Sequence, residues 1–404
     1  MDALRGTSSM LYGIISGGEH GLGPRTYLYA IDPNDLTNWT YLHPLTNDLP
    51  INHVPSTRWS GDFGRNWECS NFFTLLDSSG KAFEVFIAGS EGGEEQSWVT
   101  KHRKLNPDNP KRVPRYSNWT MGQLVKREDD EVRLEIRQAG LLDCGVFYAA
   151  TSFVAPDGRR ILWGWMIEED LPDVELKQRG WTGCFGVPRE LFVQTITGVV
   201  GALRADVETI SSVDAAVSPE GYTVSTLGMR PLAELAELDG ELLFDHPPST
   251  LKPSLTCLRD APLSCRIEAT LHVFDRTESV SLILRHSDEM TAATTITFDC
   301  REERLIVDRS KSTQRPDINT APEIGSHTLY RIADKTSGSG VLEPLKLTVF
   351  VDHDVIEVFA NDRFAISTRV YTDARHTGIS LASVGGGWVE KLAVWQVEGA
   401  RGSG

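Results

Sequence analysis

The sequence predicts an all-β chain in two parts, a first array of short antiparallel strands and a second, sandwich-like half. Three observations carry this. Short runs rich in aromatic and β-branched residues recur between turn residues. The first half shows no long stretch with the 3.6-residue apolar period of an amphipathic helix. Between about residues 200 and 245 the pattern loosens, and strand alternation resumes from about 255.

Taken in order, Thr26-Tyr27-Leu28-Tyr29-Ala30-Ile31, Ala82-Phe83-Glu84-Val85-Phe86-Ile87 and Ile161-Leu162-Trp163-Gly164-Trp165 read as strands. Ala155-Pro156-Asp157-Gly158 sets a turn before the last of them. Many short, evenly spaced strands suit a sandwich, a barrel or a propeller, and periodicity does not choose among these. Pro231-Leu232-Ala233-Glu234-Leu235-Ala236-Glu237-Leu238 predicts a short helix, and Pro247-Pro248-Ser249-Thr250 a linker. Further on, Leu345–Val351 and Val355–Phe359 flank Asp352-His353-Asp354 as a hairpin within an antiparallel sandwich. The expected division is a first domain over 1–200, a linker over 201–245 and a sandwich over 246–404.

A chain of 404 residues is long enough for two or three cores. Its formal charge of -16 argues against nucleic acid or an anionic membrane as partner and fits a neutral ligand such as a sugar. No apolar run reaches the roughly 18 residues of a membrane span. Met1-Asp2-Ala3-Leu4-Arg5 lacks the basic and apolar regions of a signal peptide. The cysteines at 69, 144, 184, 257, 265 and 300 show no C-x-x-C spacing and no zinc pattern, and their scatter does not decide the redox compartment. Asn38-Trp39-Thr40 and Asn118-Trp119-Thr120 have the letters of glycosylation sites, at a frequency close to chance.

The chemistry points to Asn66-Trp67-Glu68-Cys69, which leads into the apolar run Phe72-Phe73-Thr74-Leu75-Leu76. A carboxylate between an indole and a thiol at the start of a buried strand has the setting that raises a carboxyl pKa, as a general acid needs. Alternation puts Trp67 and Cys69 on one strand face and Glu68 and Ser70 on the other. Glu91, in the loop sequence Gly89-Ser90-Glu91-Gly92-Gly93, is either a solvated acid or a pocket residue bonded to Glu68. Asp143 and Tyr148 are either a turn acid and a half-buried ring or pocket residues. Trp163, Trp165 and Trp181 read as core packing, and Glu357 as structural.

Set in order, these segments resemble glycoside hydrolase family 32, the β-fructofuranosidases, invertases, inulinases and fructosyltransferases. Asn66-Trp67-Glu68-Cys69 resembles the acid/base motif, and Asp143-Cys144-Gly145-Val146-Phe147-Tyr148-Ala149-Ala150 the aspartate-glycine-tyrosine strand. Arg159–Trp165 and Gly180-Trp181 through Pro188-Arg189-Glu190-Leu191 resemble the blade that follows. Val307–Ser310, Ile356–Phe359 and Ser367–Tyr371 resemble the appended sandwich. Tyr12–Gly18, Gly23-Pro24-Arg25 and Arg58–Gly64 bring the fungal type nearest. The resemblance implies an incomplete five-bladed β-propeller followed by a β-sandwich. It also implies retaining hydrolysis of sucrose or fructans without a metal, and an extracellular location. Glu68 would be the acid/base, with Asp143, Tyr148, Glu91 and Cys69 around the substrate.

Retaining glycosidases use two carboxyl groups about 5–5.5 Å apart. By the resemblance, the nucleophile and a further aspartate would lie in Asn-Asp-Pro-Asn and Arg-Asp-Pro motifs, and neither is found in place. Met1 is expected to fall just after the second of them, with two blades and part of a third missing. Asp32-Pro33-Asn34-Asp35 has similar letters but reads as a turn ahead of a strand. The expectation is therefore a family-32 segment without its nucleophile. The alternative is a sugar-binding pseudoenzyme.

Overall fold

The computed structural model describes residues 10–46, 49–93, 112–128, 131–334 and 340–397. Three antiparallel sheets form the first part. The first joins β1 (Leu11–Glu19), β2 (Gly23–Asp32) and β3 (Asp35–Pro44) in that order. The turn from β2 to β3 is the Asp32-Pro33-Asn34-Asp35 segment. Asp32 accepts from the Asn34 N–H and Asp35 from that of Thr37, which is the turn chemistry expected of it.

Strand alternation gives this sheet two apolar faces. Leu28 turns inward and packs with Tyr12, Ile14, Phe63, Trp67 and Phe86. On the outward face, register aligns Leu11 with Ile31 and Trp39, and Ile15 with Tyr27. Tyr29, between Trp39 and Tyr41, joins them in one aromatic cluster. Leu11, Ile15, Trp39 and Tyr41 are exposed there.

The second sheet orders β4 (Asn66–Leu76), β5 (Ala82–Glu91), β6 (Arg115–Lys126) and β7 (Val132–Asp143). Asn118 lies buried in β6, donating to the Asp62 carbonyl and to Ser90, so its sequon letters serve packing. The third sheet contains β8 (Phe147–Val154), β9 (Arg160–Met166), β10 (Cys184–Phe185), β11 (Arg189–Ala202), β12 (Asp214–Ser218) and β13 (Gly221–Pro231). A seven-residue helix, α1 (Asp173–Arg179), stands between β9 and β10 and ends on Gly180 at φ 75°.

The sandwich pairs two antiparallel sheets around one core that includes Ile267, Leu282, Phe298, Val349, Ile356 and Leu392. The predicted hairpin is present: Leu345–Asp352 pairs with Val355–Ala360. So is the short helix, as a 3-10 turn over Ala233–Leu238.

The expected linkers are corrected. β11 runs past residue 200, and β12 and β13 fall inside 201–245 yet pair into the third sheet. Asp239–His246 and Ser249–Leu251 both pair with the last strand, Gly387–Val397, so 247–250 is no linker either. In return, Tyr330–Ala333 from the second half adds to β11. Hydrogen-bonding partners distant in sequence outweigh loop-like composition at these places. Among the described residues no helix is long and apolar enough to cross a membrane.

Candidate active site

Register in the second sheet builds the site row by row. Asn66 pairs with Glu91 and Glu91 with Arg115; two residues along, Glu68 pairs with Gly89 and Gly89 with Ser117. A separation of two returns to the same face of a sheet, so Asn66, Glu68, Glu91 and Arg115 share one side. Trp67 holds the other side. It is buried against Phe63 and Phe86, and its indole donates to the Phe63 carbonyl at 3.0 Å. Fixing that ring inward turns Glu68 outward, where it is half-buried.

Simple alternation then breaks. Cys69 has φ 48° and the pairing with β5 slips between Glu68 and Asn71, so a bulge follows the carboxylate. The expectation that Cys69 shares the Trp67 face is corrected: its side chain is exposed. Partial desolvation by its neighbours, then the charge of Glu68, pushes the thiol pKa up, away from the thiolate form. A second bulge faces the first. Ala149 has φ 51° and the β8–β9 register slips between Tyr148 and Thr151.

Asn71 joins the two bulges. Its amide donates to the carbonyls of Cys69 and Ala150, and its oxygen accepts from the Ser152 N–H and hydroxyl. The result is a direct contact: the Tyr148 hydroxyl donates to Glu68 Oε2 at 3.3 Å. Gly89 makes room for it, since a Cβ there would lie 2.9 Å from the phenol oxygen. Burial first, then the charges of Glu68 and Glu91, holds the Tyr148 pKa well above that of a free phenol. Tyr148 is thus a standing hydrogen-bond donor.

Glu91 ends β5 instead of lying in the expected loop. It accepts from Asn66 Nδ2 at 3.5 Å and has Arg115 Nε 3.7 Å away. Arg115 also faces the Tyr148 ring, 5.7 Å from its centre, and donates to Glu169 at 2.5 Å. Glu68, Tyr148 and Glu91 are therefore brought together, with Cys69 at their edge.

Asp143 is not among them. Its side chain is inaccessible, accepting from the Gly145 and Ser367 N–H groups, the Ser367 hydroxyl and Arg189 at 2.7–3.0 Å. Every oxygen is taken by protein donors at the junction with the sandwich, which corrects the expectation that it lines the pocket. Glu357 joins the same buried cluster through the Val187 N–H and Arg189, in the structural role expected of it. Trp165 and Trp181 are 37% and 49% exposed, so neither is core; Trp163 is half-buried against Phe185.

Gly89, Arg115 and Glu169 carry no signal of a site in the sequence, and Asn66 and Asn71 carry none beyond standing near Glu68 in the same strand. Their types are ordinary in strands and loops, and contacts between distant segments give them their part in the cluster. A separate cavity of about 60 Å³ lies between the first part and the sandwich, lined by Trp59, Trp119, Ser326 and His327. It is apart from the Glu68 cluster.

Residues 7–200 match the family model for the glycosyl hydrolases family 32 N-terminal domain, and residues 246–396 that for the family 32 C-terminal domain. The chain belongs to glycosyl hydrolase family 32. Relatives of this family-32 chain include a sucrose-6-phosphate hydrolase of Staphylococcus xylosus, 25% identical over 375 residues that cover 90% of this chain and 59% of that protein. Fructan 1-exohydrolase w2 of Triticum aestivum is 25% identical over 386 residues, covering 89% of this chain and 57% of that protein. The chain thus spans less than three-fifths of the length of these relatives.

Among solved structures, the Aspergillus kawachii β-fructofuranosidase superposes with a TM-score of 0.83 at 26% identity, covering 98% of this chain and 68% of that one. The A. japonicus fructosyltransferase, at 24% identity and a TM-score of 0.82, shares the fold over 99% of this chain and 68% of its own.

Proposed function

We propose that this family-32 chain carries the acid/base half of a retaining β-fructofuranosidase site acting on sucrose or fructans. The observation behind the reading is the Glu68–Tyr148 hydrogen bond, built by two facing bulges within the residues that match the N-terminal family model. Glu68 protonates the leaving glycosidic oxygen, then takes a proton from the incoming water or sugar hydroxyl. Tyr148 donates to Glu68 Oε2, leaving the other carboxyl oxygen for the substrate. Glu91, steadied by Asn66 and Arg115, accepts from sugar hydroxyls. The sucrose and fructan substrates named for the relatives support this choice of substrate class.

The second carboxylate of a double displacement is, in this reading, not one of these residues. Glu91 is tied to Asn66 and Arg115, and Asp143 is enclosed by donors. We infer that it belongs to further polypeptide that completes a five-bladed propeller over the open aromatic face of the first sheet. The share of the relatives' length that this chain leaves unmatched supports that inference. An extracellular place of action rests on the family resemblance, and fractionation of expressing cells tests it.

Incubating the chain with sucrose and with inulin, with and without the unmatched part of a relative, tests the assignment. Glucose and fructose release is expected only in the completed protein and is lost on Glu68→Gln. Brisk turnover by the chain alone overturns the inference about the second carboxylate; full activity of Glu68→Gln overturns the acid/base role.

A further inference from the structure

The tripeptide Glu168-Glu169-Asp170 places three carboxylates in succession just after β9. Like charges this close repel unless each has its own cation. Their partners lie on different parts of the molecule. Asp170 is fully buried between Arg112, at 2.5 Å, and Arg309 of the sandwich, at 2.7 Å. Glu168, also inaccessible, pairs with Arg179 at 2.9 Å, accepts from the Tyr371 hydroxyl at 3.3 Å and has the sandwich's Arg369 3.8 Å away. The sandwich also holds the backbone here, the Asn319 N–H donating to the Asp170 carbonyl at 3.1 Å. Glu169, between them, accepts instead from Arg115 Nη1 at 2.5 Å and from the Val113 N–H at 3.2 Å.

Arg115 is the cation that faces Tyr148 and stands beside Glu91. A guanidinium shared between two carboxylates goes where the nearer one is held. We propose that Glu169 is a positioning residue for the Glu68–Tyr148–Glu91 cluster, and that the sandwich sets its place by clamping Glu168 and Asp170 on either side. The sandwich thereby fixes how much of the Arg115 charge reaches Glu91 and the Tyr148 phenol. The assignment rests on the reading of Glu68 as acid/base, and it gives the sandwich a part in that chemistry.

The test reads the cluster without requiring turnover. The full chain carrying 3,5-difluorotyrosine at position 148 is titrated by absorbance, the charged groups acting on that phenol being Glu68, Glu91 and Arg115. In Glu169→Gln, Arg115 is released toward Glu91 and the phenol, and the midpoint is expected to move down by about 0.5 pH or more. Arg309→Gln is expected to move it in the same direction, and Arg309→Lys, which keeps the charge and is the safer fold, to move it less. Arg266→Gln, which breaks the sandwich pair with Asp239 remote from the tripeptide, is expected to leave it in place.

An unchanged midpoint in Glu169→Gln overturns the proposal, as does an equal shift in Arg266→Gln. A shift in Glu169→Gln with none in either Arg309 variant overturns the part given to the sandwich. Sucrose turnover by the completed protein, and its loss in Glu68→Gln, judges the acid/base reading separately.

Discussion

Asn71 meets four backbone and side-chain partners from two strands, and through them it holds Glu68 and Tyr148 face to face. Asn71→Ala strands the Ser152 N–H and the Ala150 carbonyl in a partly buried place, at a cost of about 1–3 kcal/mol. Urea denaturation is expected to show a lower midpoint with an unchanged slope. In sequence, Asn71 is an ordinary polar residue ahead of the apolar run Phe72-Phe73. Its use appears once the bulge at Cys69 is known, because that extra residue brings the amide within reach of β8. Glu68 can be singled out from the sequence because Trp67 beside it reads as core, which fixes the face on which the carboxylate lies. Asp143 was misjudged for the converse reason: a turn aspartate looks the same whether its acceptors meet a sugar or an arginine.

At the scale of elements, the two halves are joined by buried ion pairs as well as by apolar packing. Arg189 of β11 lies 3.7 Å over the Phe147 ring and bridges Asp143 and Glu357 with no side-chain exposure. Arg189→Leu removes the guanidinium that bridges these two carboxylates, and is expected to destabilise by about 3–5 kcal/mol in calorimetry. By contrast, Glu390→Ala breaks an exposed pair with His272 and is expected to cost at most about 1 kcal/mol.

His327, in the sandwich, titrates against folding. Burial, then the nearby Arg363 charge, lowers its pKa to about 3, while its ring meets Asn361 Oδ1 at 3.1 Å. The unfolded chain takes up this proton near pH 6.5 and the folded one only near pH 3. The stability tied to the neutral ring is therefore full above pH 6.5 and falls as pH drops between these values. By pH 5 the loss is about 2 kcal/mol. His327→Gln is expected to flatten that part of the stability profile in denaturant melts across pH. Neither the pair at Arg189 nor the buried histidine carries a local sequence signal, since the partners lie tens of residues or more away along the chain.

For the whole molecule, the first sheet is the exception to ordinary burial. An antiparallel sheet facing water on one side carries polar residues there, yet this one presents Leu11, Ile15, Trp39 and Tyr41. The dye ANS is expected to fluoresce on the isolated chain, and Trp39→Lys with Tyr41→Lys to remove most of that signal. The sandwich core and the strand content were legible because alternation survives wherever one face is buried. The stretch over 201–245 was not, because its strands are held by β11 and by the last strand rather than by strong alternation of their own.

By itself, the order of residues determined that the chain is built of strands and that it belongs to glycosyl hydrolase family 32, and it singled out Glu68 as the candidate carboxylate. Those facts reside in local pattern and in motif order. Tertiary structure alone decided which groups surround that carboxylate: Tyr148 over Gly89, Arg115 shared between Glu91 and Glu169, and Asp143 turned away into the junction with the sandwich. The reason is register. A bulge of one residue changes which side chains meet across a sheet, and that choice is made by partners tens to hundreds of positions away.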